Sequence, residues 1–178
     1  MSRLIVLATM LSCISIASSA QIKSRYSPTF GDACKESLKV MEDGATKTFR
    51  ECPGVANYQV EFFSGETVNL LNVVTPEGRK IGTIFPVSNA AFIRKKASSN
   101  SVSIEWRVRK KVPIALIIPA YVAEENNNNS VRVFKKYVLR LDNEKLCVTK
   151  IVGPSRNMTS VSRKAADLSA AAQCMEPK

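Results

Sequence analysis

Apolar and polar residues alternate most cleanly between 102 and 110, where Val102, Ile104, Trp106 and Val108 interleave with Ser103, Glu105, Arg107 and Arg109. A period of two sends the two sets to opposite faces of a pleated strand, so the segment is predicted as a half-buried strand with Trp106 inward. Residues 131–141 repeat the pattern, with Val133, Tyr137, Leu139 and Leu141 on one side and Arg132, Lys136 and Arg140 on the other. Between them, residues 114–122 are apolar almost throughout and read as a central strand, although Pro119 calls for an edge position or a bulge near its end. The tract from Glu124 to Asn129 is a low-complexity polar loop.

Upstream, stretches rich in β-branched and aromatic residues are cut by turn signals at short intervals. Strands are predicted over 46–52, 58–63, 67–74 and 80–85, separated by Cys52-Pro53-Gly54, Ser64-Gly65 and Pro76-Glu77-Gly78. A further strand over 145–152 follows the turn Asp142-Asn143-Glu144.

Helical periodicity replaces the period of two in two places. Asp32 is placed to cap a short helix carrying Cys34, Leu38 and Met41 on one face and stopping near Gly44. The alanine-rich run 158–174 presents Val161, Ala165, Leu168 and Ala172 as the face of a longer helix. Residues 21–30 are polar and read as an extended arm. The pattern therefore predicts an α+β domain: an antiparallel sheet of about seven strands, a short N-terminal helix, and a C-terminal helix packed on one face. There is no internal repeat, and residues 21–178 are expected to form a single domain.

The first twenty residues stand apart from this pattern. Arg3, an uncharged apolar run from Leu4 to Ala17, and Ser18-Ser19-Ala20 before Gln21 have the layout of an export signal cleaved near Ala20. The rival reading, a lipidated N-terminus at Cys13, fits poorly because Met10 and Leu11 precede it. No later apolar run reaches the roughly 20 residues of a membrane-spanning helix. The mature chain is thus expected to be periplasmic or secreted, without a transmembrane segment.

That address gives the cysteines a meaning. Cys34, Cys52, Cys147 and Cys174 are an even number at wide spacings in an oxidising compartment, which reads as two disulfides. Of three connectivities, Cys34 with Cys52 and Cys147 with Cys174 is preferred, since sequence-near partners close first and each pair brackets a self-contained segment. A zinc site is disfavoured by the lack of any C-x-x-C and of histidine.

Histidine is absent from the whole chain, which excludes Ser-His-Asp and Cys-His catalysis and histidine acid–base work. No P-loop, G-x-G-x-x-G, G-x-S-x-G or S-x-x-K occurs, and paired cysteines leave no reactive thiol. No cofactor or metal is expected. A carboxylate-dependent envelope hydrolase survives as the alternative, with Glu61, Glu66, Glu105 and Asp142 as the residues that convergent strands would bring together. Glu105-Trp106-Arg107 has the makings of a stacking platform, but Ile104 and Val108 share Trp106's face and argue for a core anchor. Asn128-Asn129-Ser130 and Asn157-Met158-Thr159 match the glycosylation sequon, which carries meaning only in a eukaryotic secreted protein.

The formal net charge is +11, and among charged residues the leader holds only Arg3. Arg107 and Arg109 on one strand, with Arg132, Lys136 and Arg140 on another, would form one positive face if those strands are neighbours. Lys110, Lys111 and Arg94-Lys95-Lys96 add to it. Such a face suits an anionic envelope component or another envelope protein, against the bland reading of a solvated surface. Dedicated nucleic-acid recognition is not expected, because no binding motif accompanies the charge.

In Cys52-Pro53-Gly54 with Tyr58, Glu105-Trp106-Arg107 with Ala115-Leu116-Ile117, and an alanine-rich helix ending at Cys174, the chain resembles small exported proteins of alphaproteobacteria. The resemblance covers most of the mature chain. It implies a periplasmic address, and no activity, cofactor or catalytic residue. The function expected from these features is that of a non-enzymatic binding or envelope-accessory protein, an inhibitor of an envelope enzyme such as lysozyme being one concrete form.

Overall fold

The computed structural model describes residues 21–29, 31–40, 44, 46–64, 69–84, 90–92, 103–126, 129–142 and 144–176. The leader, Cys13, Glu66, Arg94-Lys95-Lys96 and Asn128 lie outside them. Among the described residues the chain forms β1 (Lys23–Pro28), β2 (Lys35–Val40), β3 (Thr46–Pro53), β4 (Gln59–Ser64), β5 (Asn69–Val74), β6 (Lys80–Ile84), β7 (Ala90–Phe92), β8 (Ser103–Arg109), β9 (Val112–Asn126), β10 (Asn129–Leu141), β11 (Leu146–Val152) and α1 (Met158–Asp167). All pairings are antiparallel and divide into two sheets. One is the meander β2-β3-β4-β5-β6; the other runs β1-β8-β9-β10-β11, with β7 on β9 beyond the end of β8.

The single seven-stranded sheet predicted from the pattern is therefore two sheets, and the protein is mostly β. The reason lies in the first half of the chain. Val60, Phe62, Leu71, Val73 and Ile81 alternate as cleanly as the strands of the second half, so they make a separate apolar face. It packs against Ile104, Trp106, Leu116, Ile118, Tyr137, Leu139 and Val148 of the longer sheet as a sandwich core. On the other side of the longer sheet, Ala115, Ile117 and Val138 receive Met158 and Ala166 of α1. The order of layers is meander sheet, long sheet, helix.

The predicted N-terminal helix is not seen, and β2 stands in its place. Cys34 is bonded to Cys52, with Cα atoms 4.3 Å apart, and the chain leaves that bond in register with β3, Lys35 opposite Glu51 through Val40 opposite Thr46. A segment this short gains little from helix formation in isolation, so the tether and the waiting edge of β3 decide. The arm predicted over 21–30 is likewise a strand, β1, at the edge of the long sheet. The residues on its Trp106 side are Lys23, Arg25 and Ser27, of which only Ser27 is buried, which is why no apolar alternation announced it.

The polar tract at 124–129 is narrower than a loop of that length. Asn126 pairs with Asn129, so β9 and β10 form one long hairpin. Pro119 sits in a gap on one flank of β9, after the last pairing with β8 at Ile117 and before the first with β7 at Ala120. A residue lacking an N–H is tolerated at such an interruption.

Trp106 is fully buried, as a core anchor should be, and its indole N–H donates to Ser27 Oγ at 2.7 Å. Gly54 makes room for it. A Cβ at Gly54 would lie 2.8 Å from Trp106 Cζ2 and 2.7 Å from the Tyr58 carbonyl oxygen. Gly54→Ala is therefore expected to lower unfolding free energy by about 1–3 kcal/mol, the usual cost of overpacking, as read by urea denaturation followed at the single tryptophan.

Tyr137 lies at the centre of the same core, where burial, with a lesser contribution from Glu124, pushes its phenol up to about 12. The neutral phenol is the form the fold favours. Its contribution is complete below pH 10 and is lost as pH rises from 10 to 12. The denaturation midpoint should fall across that window, and should fall less in Tyr137→Phe.

Candidate functional site: a basic cavity at the open end of the sandwich

The five residues of the expected basic face take different places. Strand alternation puts Arg107, Lys136 and Arg140 on the side of the long sheet that α1 covers, with β9 lying between β8 and β10. Arg107 and Arg140 both stand opposite Ala115, whose small side chain leaves them room. Arg107 is buried and grips Asp167 at the end of α1 with two bonds, Nε to Oδ1 at 2.7 Å and Nη2 to Oδ2 at 2.9 Å. Glu105, also buried, accepts from Ser24 and from Arg163 Nε at 2.6 Å, and Arg163 donates in turn to Tyr26 Oη. The bond to Glu105 raises the Arg163 pKa above its ordinary value.

Arg140 donates to the Ala172 carbonyl at 3.1 Å and meets Asp142, and Lys136 donates to Thr159 Oγ1 at 2.9 Å. Burial lowers the Lys136 pKa, aided by Arg163 and opposed by Glu105. These three cations thus hold the C-terminal segment. Arg109 and Arg132 remain exposed at strand positions away from that grip.

The same contacts set the rotation of α1. Its fully buried residues are Ser162 and Ala166, with Val161 and Ala165 only partly covered and Leu168 63% exposed. The predicted face of Val161, Ala165, Leu168 and Ala172 is turned aside because Asp167 and Arg163 must reach Arg107 and Glu105. Small residues then let the helix approach, and Ser162 satisfies its own hydroxyl on the Met158 carbonyl. The helix ends at Asp167, and a 3-10 turn over Ser169–Ala171 leads to Cys174, which is bonded to Cys147 on β11. Both expected cysteine pairs are thus the ones formed.

Of the four candidate carboxylates, the three among the described residues, Glu61, Glu105 and Asp142, each have a local partner. Glu61 faces away from the sandwich core on the meander sheet, bound by Lys80 Nζ at 2.7 Å and Asn72 Nδ2 at 3.1 Å. Glu105 lies on the opposite outer side of the molecule, beneath α1. Asp142 accepts from the backbone N–H groups of Glu144 and Lys145 in the β10–β11 turn, bonds that lower its pKa.

A different group of cations converges. At the open end of the sandwich a cavity of about 670 Å³ is lined by Lys23 and Arg25 of β1, Lys110 and Lys111 of the β8–β9 turn, and Gln21. Its apolar wall is Val55, Ala56 and Val108. Lys23 and Arg25 precede Ser27 on the same side of β1, opposite Val108 and Trp106, and unlike Ser27 they are exposed. Among the described residues none of these four cations takes part in an ion pair.

Two turns frame the cavity, and both carry strain. Lys110 and Lys111 have φ of +49° and +70°, and Ala56 and Asn57 have +52° and +65°. In each, two left-handed residues join antiparallel strands; Tyr58 N–H closes the second by donating to the Val55 carbonyl at 3.0 Å. Such turns favour Asn-Gly or Gly-Gly. Lys-Lys and Ala-Asn put three side chains with no such preference at left-handed positions, at a cost of about 1 kcal/mol or more each. Neither pair is demanded by the turn, and strain of this kind collects at sites with another use.

Lys110 and Lys111 belong to the basic run that is plain in the sequence, whereas Lys23 and Arg25 stand apart from it. Their signal was the alternation Lys23, Arg25, Ser27 against Ser24 and Tyr26, a period of two written entirely in polar residues. No family model, curated protein or solved structure matches the chain, so the site rests on its geometry.

Because the guanidinium of Arg107 is buried, removing its partner should cost more than replacing the pair. Asp167→Leu is expected to lower stability by about 2–4 kcal/mol, with much of the loss recovered in the Arg107→Met/Asp167→Leu double variant, measured by guanidinium denaturation of all four members of the cycle.

Proposed function

We propose that this is an extracytoplasmic, non-enzymatic protein that binds an anionic component of the cell envelope, and that the basic cavity is where it does so. The observation that carries the reading is the convergence of Lys23, Arg25, Lys110 and Lys111, without a carboxylate partner among the described residues, around an apolar wall. Four like charges held together in this way make a standing positive potential, which draws an anion in and loses strength with salt. The volume falls in the range of small-molecule sites, roughly 300–1,000 Å³.

Support for the address comes from two directions. Residues 1–20 have the layout of a cleaved export signal, and two disulfides suit an oxidising compartment. Among the described residues no helix is long and apolar enough to cross a membrane.

The strained turn supplies a variant that separates binding from folding. Lys110→Asn/Lys111→Gly gives the turn its favoured residues, so stability should rise by about 1 kcal/mol or more while two cations leave the cavity. Retention on phosphatidylglycerol-containing vesicles at low salt should then drop about tenfold. Arg109→Ser/Arg132→Ser, which removes two exposed cations of the expected basic face, should retain the wild-type behaviour. The opposite ranking of the two variants would place the binding surface on that face instead.

A further inference from the structure

We infer that the ligand of the basic cavity is a phosphate-headed amphiphile with an apolar body, and not an extended polyanion. The inference rests on the anion-binding reading above and adds to it the chemical class of the ligand.

Charge sets the head group. Three ammonium groups and one guanidinium gather at one cavity, which overmatches a carboxylate and suits a phosphomonoester carrying close to two negative charges. The arrangement is also compact. Lys110 and Lys111 are adjacent in one turn, and Lys23 and Arg25 stand two apart on one face of β1, so the charges serve one head group instead of tracking a long chain.

The wall sets the rest. Val55, Ala56 and Val108 sit among the cations, and Val55 and Val108 also pack against the sandwich core. An apolar surface joined to the core gives a polyanion nothing to bind, whereas an alkyl chain would cover it. Each methylene that leaves water there is worth roughly a factor of four in affinity. Ala56 is the revealing position. Its left-handed backbone favours asparagine, yet the residue that lines the cavity is alanine and the asparagine is the next residue, Asn57.

Titration calorimetry on the intact disulfide-bonded protein can test this with three soluble probes: octyl phosphate, inorganic phosphate and dextran sulfate. Octyl phosphate is expected to bind at least about tenfold more tightly than inorganic phosphate, at one site per chain, with a negative heat-capacity change. Ala56→Asn should weaken octyl phosphate about fivefold or more and leave inorganic phosphate unchanged, while the thermal midpoint holds or rises. Equal affinity for the two phosphates, or an Ala56→Asn variant that binds octyl phosphate as the wild type does, overturns the inference. So does dextran sulfate binding that Ala56→Asn leaves intact while octyl phosphate gains nothing over phosphate; that result keeps the anion site and gives it to a polyanion. If no probe binds in a salt-dependent way, the anion-binding reading itself falls.

Discussion

A guanidinium taken out of water must be met by carboxylate, and the buried side chain of Arg107 imposes that condition on the rest of the molecule. Its fork takes Asp167 with two bonds, which brings the end of α1 down onto the long sheet. Glu105, one pleat away, takes Arg163 from the preceding turn of the same helix and Ser24 from β1. One strand thus fixes the edge strand on its flank and the helix above it, while its other face sends Ile104 and Trp106 into the sandwich core. The clear alternation that marks β8 in the sequence is the trace of this double duty.

The same strand leads into the turn of Lys110 and Lys111, and its partner β1 begins with Lys23 and, two residues on, Arg25. Fixing β1 through Ser24 and Ser27 therefore also fixes the cations at its start, because a pleated strand cannot turn single residues over without losing register. An edge strand with inward charges resists pairing with another chain. Here those charges also stand at the end of the sandwich where the core runs out. The opposite wall comes from the β3–β4 turn, held by the approach of Gly54 to Trp106. Both jaws of the cavity are accordingly anchored on a single buried indole.

Much of this was legible in the residues. The strands from β3 to β6 and from β8 to β11, the C-terminal helix, both cysteine pairs and the buried Trp106 follow from period-two alternation, turn signals and even cysteine count. The misses share a cause: local pattern was weak and a tertiary partner decided. Residues 35–40 carry a plausible helical face, but the bond from Cys34 to Cys52 lays them along β3. Residues 23–28 have no apolar side to display. Val161 in α1 and Leu168 just past its end are strong hydrophobes, yet the reach of Asp167 and Arg163 to their partners turns Ser162 and Ala166 inward beside Met158. The cavity was hidden for a similar reason, since its cations come from two neighbouring strands whose residues lie more than eighty positions apart in the chain.

The disulfides fall where the packing alone holds least. Cys34–Cys52 tethers β2, whose Leu38 and Val40 are largely exposed, and it lies just before the strained turn at Ala56 and Asn57. Cys147–Cys174 tethers the segment after α1, where the main apolar contacts have already ended. In a sandwich this size the core is sufficient for its centre, so the covalent links matter for the peripheral elements. Left-handed side chains in a turn tend to relax once the turn is free to move. A link two residues before Gly54 limits that freedom, and it lets the chain keep Ala56 and Asn57, in place of glycine, beside four cations.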